Sequence, residues 1–333
     1  MKYFVTGHLG YIGVHLVRQL KEAGHQVTGC DLNLFDGCAF DNIVKPDKEI
    51  LGDFRKLKAD DLKGYDCVMH LAAISNDPMG DLNEQLTYDI NLDGSVQLAK
   101  LAKQAGVPKF LFSGSCSVYG KGAKLDLAEG DALNPVSAYA VSKVRVEEEL
   151  SKLADANFIP VYLRNATAYG YSPMLRIDLV VNNLLACAHA RGDIRIMSDG
   201  SPWRPLVHCS DIAKAFVYIA KADEKKVANR AINIGGNAEN YQVKEIGDMI
   251  QQLMPDCSIV YTGEAGADPR DYRVKFDLLT ELVPEFSLDY TLKAGIEELH
   301  RHFLKQRFSL DDFNADKYVR LRVLKHKLNL LAL

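Results

Sequence analysis

Tyr139 and Lys143, four residues apart in Tyr139-Ala140-Val141-Ser142-Lys143, can move a proton if the chain around them is helical. Residues at that spacing share one helix face, so phenol and ammonium project together. A free phenol titrates near pH ~10, and a neighbouring positive charge favours its anion, which makes it a usable acid and base near neutrality. The lysine can also donate to a ribose hydroxyl. Such a pair also arises by chance on any solvated helix, so its surroundings decide its meaning.

A second group lies upstream, in Thr6-Gly7-His8-Leu9-Gly10-Tyr11-Ile12-Gly13. Lys2 to Thr6 reads as a short apolar strand, and Ile12, Val14, Leu16, Val17 and Leu20 follow at helical spacing. The pattern is strand, tight turn, helix. Glycines at 7, 10 and 13 let the backbone turn and let a pyrophosphate approach the unpaired N–H groups and positive dipole end of the helix. The spacing differs by one from the commoner G-x-G-x-x-G; a plain surface turn is the other use of such glycines, and the flanking strand and helix argue against it. A second strand, Gln26 to Cys30, ends at Asp31. A carboxylate there faces an adenosine ribose, accepts its hydroxyl protons and repels a 2′-phosphate, which predicts NAD rather than NADP. A turn aspartate opening Asp31-Leu32-Asn33 is the alternative.

The elements that must hold these groups follow in a regular order. Strand-like runs at Cys67-Val68-Met69-His70-Leu71, Lys109 to Ser113 and Ile159 to Leu163 alternate with helical patterns over Leu82 to Ala105 and Ser137 to Leu153. That alternation predicts an α/β fold with a doubly wound, Rossmann-like parallel sheet, whose ligands sit at the carboxyl ends of the strands. Gly7, Asp31, Asp53, Ala72 and Ser113 to Ser117 all fall at such ends.

Taken together these motifs resemble the extended short-chain dehydrogenase/reductases of the NAD-dependent nucleotide-sugar epimerase/dehydratase family, and the resemblance covers nearly all of the chain. It rests on the glycine turn, Gly52-Asp53-Phe54, His70-Leu71-Ala72-Ala73, Asn91, Ser113 to Gly120, Tyr139 with Lys143, and Arg204-x-x-x-His208-x-x-Asp211 in this order. It implies that Gly7, Leu9, Gly10, Tyr11, Ile12, Gly13, Asp31, Asn33, Asp53, Phe54, Leu71, Ala72, Ala73, Asn91, Ser113, Tyr139, Lys143 and Ala166 contact NAD. It implies catalysis by Ser115, Tyr139 and Lys143, the serine polarising the reacting sugar oxygen while Tyr139 takes the proton. Substrate contacts implied are Ser115, Cys116, Ser117, Tyr139, Thr167, Asn183, Arg204 and Arg270, the two arginines clamping the diphosphate of a nucleoside-diphosphate sugar.

Departures from the family pattern narrow the chemistry. Family 4,6-dehydratases carry Asp-Glu after the active-site threonine; Cys116-Ser117 stands here, which points away from dehydration. Cys116 is one place early for the cysteine acid of other members and reads better as a small buried thiol. Thr167 replaces a usual asparagine, and Ser172 to Asp178 replaces a common Gly-Pro. The expected reaction is oxidation of the sugar at C4 by hydride transfer to tightly bound NAD, followed by re-reduction, a 4-epimerase. A 4-dehydrogenase or keto-sugar reductase is the alternative. A non-catalytic NAD-binding regulator is the reading from another class, and such relatives typically lose the tyrosine or the lysine.

With 333 residues, 47% hydrophobic and 25% charged, the chain is long enough for a large core. The expected division is an NAD-binding domain, 1–166 plus 210–235, a smaller C-terminal substrate-binding lobe, 167–209 plus 236–304, and a helical tail, 305–333. A net charge of −4 argues against nucleic acid as a partner. The chain enters a strand at Lys2 without an apolar leader and carries no run of membrane length, so a cytoplasmic protein is expected, with no membrane partner. Seven cysteines without a regular framework predict reduced thiols, and nine histidines without ligand spacing imply no metal. His70 and His208 read as packed, hydrogen-bonded residues. The resemblance implies a homodimer. The loop from Asn33 to Lys48 reads as an insertion or a lid over the adenosine, and the tail, with Lys317, Arg320, Arg322, Lys325 and Lys327 among leucines, as an amphipathic helix folded back on this subunit or its mate.

Overall fold

Strand β1 (Lys2–Thr6) is buried along all but its first residue, so both of its faces need cover, and it sits in the middle of a parallel sheet. A computed structural model describes residues 1–75, 77–80, 82–120, 125–263 and 271–331. β1 is flanked by β2 (Gln26–Asp31) and β4 (Cys67–His70), with β3 (Lys48–Leu51) at one edge. β5 (Lys109–Ser115), β6 (Ile159–Asn165) and β10 (Arg230–Ile234) extend the other side, in the order β10-β6-β5-β4-β1-β2-β3. Every pairing in this seven-stranded sheet is parallel. The strand order reverses between β1 and β4, the switch point at which the strand ends splay and leave a crevice.

Helices cover both faces. The helix Gly13–Glu22 buries Val14, His15, Leu16, Val17 and Leu20, packs on the helix Cys209–Lys221, and ends at Gly24, whose φ of 76° suits a left-handed stop. The helix Ala138–Ser151 starts at Ser137, whose hydroxyl accepts from the Ala140 N–H at 3.2 Å. Its buried face carries Lys143 and Glu147 among alanine, valine and leucine, so it shows little of the sequence contrast of an ordinary amphipathic helix.

The helical pattern expected over Leu82 to Ala105 is interrupted. Glu84–Thr87 is α-helical, Tyr88–Gly94 is a π-helical stretch, and Ser95–Gln104 is α-helical again. The wide turn presents Asn91, whose Oδ1 accepts from the Ile74 N–H at 2.8 Å and whose Nδ2 donates to the Ile74 carbonyl at 3.0 Å. These tertiary bonds hold the loop leaving β4 in return for the irregular helix geometry.

Smaller sheets follow. β7 (Thr167–Tyr169), β9 (Trp203–His208) and β11 (Asn240–Gln242) form one, and β8 (Asp193–Ile196) pairs with β12 (Ser258–Tyr261). Their core includes Leu184, Leu185, Ile194, Ile246, Leu292, Leu299 and Phe303. The helix Arg320–Leu331 folds back onto this same chain, with Val323 against Val14, Cys38 and Met174. Phe40, in the long loop after β2, packs on the rings of Tyr171, Phe303 and Tyr318. Among the described residues no helix is long and apolar enough to cross a membrane.

Candidate active site

The turn after β1 is built so that backbone meets backbone. Gly7 has φ 73°, and a Cβ on it would lie 2.6 Å from the Ala72 nitrogen; one on Gly13 would lie 2.1 Å from the Gly7 carbonyl oxygen. Helix Gly13–Glu22 begins at Ile12 with no side-chain cap, so no side chain claims its first N–H groups. At the end of β2, Asp31 accepts from the Leu9 N–H at 3.2 Å and the Asn33 N–H at 2.9 Å. These residues fit a dinucleotide: a side-chain-free cradle at a helix N-terminus for the pyrophosphate, and a carboxylate one strand away for a ribose. Gly7, Leu9, Gly10, Tyr11, Ile12, Gly13, Asp31, Asn33, Phe54, Leu71, Ala72, Ala73, Ser113 and Ala166 line one cleft of about 1070 Å³.

Ser115, Tyr139 and Lys143 line the same cleft. Ser115 ends β5 opposite Asn165 of β6, and its hydroxyl accepts from the Ser117 N–H at 3.1 Å. Lys143 is 4% exposed; its Nζ donates to the Ser113 carbonyl at 2.7 Å and lies 5.6 Å from the Tyr139 ring centroid and 4.6 Å from that of Phe112. Burial pushes its pKa down to about 7, with Glu147 opposing the shift. The cleft is thus lined by a phenol, a buried amine one helical turn on and a serine hydroxyl, the set needed to shuttle a proton to and from an alcohol.

His70 stands behind this group. Its ring nitrogens meet Thr6 Oγ1 at 2.6 Å and Ser95 Oγ at 2.8 Å, and burial drives its pKa to about 3. It is a neutral, packed histidine. His208 is likewise buried: its Nδ1 accepts from the Ser210 N–H at 3.2 Å and its ring stacks on Tyr290 at 3.9 Å. Asp211 accepts from the backbone of Asp289 and Tyr290, so the second half of the late Arg-x-x-x-His-x-x-Asp motif anchors a loop while Arg204 faces the cleft.

Four expected contacts do not line the cleft. Asp53 caps the turn Phe54–Lys56 and pairs with Arg55 at 2.7 Å, leaving Gly52 and Phe54 to face inward. Asn91 is 1% exposed and spends its amide on Ile74 and, at 3.4 Å, Ser142. Cys116 is 1% exposed behind β5; its thiol donates to the Arg164 carbonyl at 3.2 Å, and burial pushes its pKa up. Ser117 is buried in the same turn. All seven cysteines are free and buried.

On the other wall, Thr167, Asn183 and Arg204 line the cleft. Asn183 donates to the Ile177 carbonyl at 2.9 Å, and Arg204, 7% exposed, to the Trp203 carbonyl at 2.8 Å. Arg270 lies outside the described residues. Sequence reasoning missed three groups here. Asn165 donates to Ser113 Oγ at 3.0 Å and the Gly114 carbonyl at 3.1 Å; a polar residue closing the apolar run of β6 was its signal. Arg176 forks onto both oxygens of Asp178 at 2.9 Å. Arg320, Lys325 and Lys327 reach the cleft from the closing helix; their signal was the basic face of the tail, which gives no direction by itself.

The sequence pattern of the group described as "NAD dependent epimerase/dehydratase family" matches residues 3–235. A putative UDP-glucose 4-epimerase of Methanocaldococcus jannaschii is 30% identical over 286 residues, covering 82% of this chain and 89% of that protein. Among solved structures, TunA, an NAD dependent-NDP-hexosamine 5,6-dehydratase involved in tunicamycin biosynthesis, superposes with a TM-score of 0.81. It is 25% identical and covers 93% of this chain and 99% of that one. MoeE5 in complex with UDP-glucuronic acid and NAD gives a TM-score of 0.79 at 26% identity, covering 92% and 99%.

Proposed function

Since the chain belongs to the NAD dependent epimerase/dehydratase family, we propose that it is a nucleotide-sugar 4-epimerase that keeps NAD bound through its cycle. The observation that carries this reading is the convergence of Ser115, Tyr139 and Lys143 with the glycine cradle on one cleft. When bound, NAD supplies a hydride acceptor that is regenerated within each turnover. Tyr139 takes the proton of the C4 hydroxyl and returns it after the sugar has turned over in the site. Ser115 hydrogen-bonds the same oxygen, where charge changes as the bond order to carbon changes. Lys143 places positive charge beside the phenol and so favours its anion. Leu9, Gly10, Tyr11 and Gly13 hold the dinucleotide with Asp31 on its ribose, while Thr167, Asn183 and Arg204 hold the nucleoside-diphosphate sugar, UDP-sugars first among them because relatives are named for these.

We assign the dinucleotide to 1–166 plus 210–235 and the sugar nucleotide to 167–209 plus 236–304. We place the protein in the cytoplasm as a homodimer joined through the segments Leu82 to Ala105 and Ser137 to Leu153, and sedimentation of the purified protein tests the dimer.

The test of function is incubation of the purified protein with UDP-sugars, read by chromatography of the epimer pair. Tyr139→Phe should bind NAD normally and lose turnover by roughly 10²- to 10⁴-fold. Full turnover by that variant sinks the mechanism. Steady accumulation of NADH with a keto-sugar would make the protein a dehydrogenase, and a product lighter by one water a dehydratase.

A further inference from the structure

The helix Arg320–Leu331 is the final described element, yet it borders a cleft founded on the first strand. Val323 packs with Val14, in the first turn of Gly13–Glu22, and Lys327 donates to the Leu34 carbonyl. One turn before the first of these attachments, Arg320 turns inward. Its side chain is 3% exposed and lines the cleft. Nη2 donates to the Met174 carbonyl at 3.1 Å, the guanidinium lies 4.2 Å from the Phe35 ring centroid, and Nη1 is buried with no hydrogen-bond partner among the described residues.

A buried cationic donor without an acceptor is costly, and an anion is what relieves it. Burial and the like charge of Arg176 pull the Arg320 pKa down to about 10, so it is still charged at neutral pH. Arg176 is within electrostatic range of Tyr11 and Tyr139, and Arg320 of Arg176 and Asp31. Both guanidinium groups line the cleft that also holds Asp31 at its ribose end and Tyr139 at its reacting end. In a dinucleotide the group between those ends is the pyrophosphate. The glycine turn meets it with N–H groups alone, since the histidine in that turn, His8, is held by Glu49 at 2.9 Å.

We propose that Arg320 closes on the pyrophosphate of the dinucleotide opposite the glycine turn, and that the helix carrying it is a strap retaining the cofactor between turnovers. The planar donor fork of arginine suits two phosphate oxygens at once. This inference rests on the reading of the protein as an NAD enzyme. A sugar nucleotide also carries a diphosphate, but Arg320 lies on the Phe35 ring, in the loop that follows Asp31, whereas Arg204 stands on β9.

The experiment is calorimetric titration of cofactor-stripped wild type, Arg320→Gln and Arg320→Lys with NAD, ADP-ribose, adenosine and UDP. Arg320→Gln should weaken NAD and ADP-ribose by roughly 10- to 100-fold, the range of a hydrogen bond to a charged group. Adenosine and UDP should bind as before. Arg320→Lys, which keeps the charge without the fork, should fall between and carries the test if the glutamine variant does not fold. Unchanged affinity for ADP-ribose overturns the proposal, as does an equal loss for adenosine, which makes the helix a mere cover. A loss confined to UDP moves the arginine to the sugar nucleotide and overturns it too. Wild type that binds neither NAD nor ADP-ribose refutes the enzyme reading itself, a separate outcome.

Discussion

Lys143 is kept at a cost in stability. Its folded pKa of about 7 lies well below the ~10.4 of an unfolded lysine, so the folded state disfavours the charge that the unfolded chain carries freely. The penalty is in full below pH ~7, shrinks as the pH rises through the window between the two values, and is gone above the unfolded pKa, where neither state holds the proton. Measured by denaturant unfolding, the stability of wild type relative to Lys143→Met should therefore rise with pH, by up to roughly 4 kcal/mol between pH 6 and 10. A flat difference over that range would mean that the ammonium is better solvated than its burial indicates. Tyr139 and Lys143 were legible at this scale because both sit on one short helical face, and Ser115 because it follows a clear strand. Asp53 was placed in the turn after Gly52 and Asn91 in the helical segment after β4, but their side chains turn to Arg55 and Ile74, a choice that the apolar pattern does not record.

The tyrosine helix is fixed to the sheet by one buried ion pair. Arg164 on β6 reaches Glu147 with Nη2 at 2.6 Å and Nε at 3.0 Å, and its Nη1 also donates to the Tyr119 hydroxyl at 3.2 Å. Glu147→Gln leaves the guanidinium buried and uncompensated, which should cost about 3–5 kcal/mol, read as a fall in melting temperature. The same change removes the group that supports the charge on Lys143, so turnover at neutral pH should fall even at temperatures where the variant is folded. The strands of the main sheet were plain from their unbroken apolar runs, which parallel sheets require. The π-helical stretch Tyr88–Gly94 was not, because its extra width answers to the two bonds between Asn91 and Ile74 rather than to side-chain periodicity.

Across the whole molecule, the cleft is lined by segments far apart in sequence, the turn Gly7 to Gly13 and the helix Arg320–Leu331. The order of strands and helices made the doubly wound sheet and its crevice readable, since crossover rules leave few alternatives. The place of the tail was beyond reach: a basic amphipathic pattern says that one face is buried, and only the finished surface says against what. With NAD present, trypsin should remove the tail at Lys325 or Lys327 several-fold more slowly than from stripped protein, by mass spectrometry of timed digests, because the ligand favours the closed arrangement. Equal rates would separate the helix from the ligand.

A ribosome delivers the glycine cradle well before Arg320, which lies far downstream in the sequence. Nascent chains can therefore form the nucleotide-facing sheet and sample the coenzyme long before they can grip it, and permanent loading belongs to the moments after synthesis passes the closing helix.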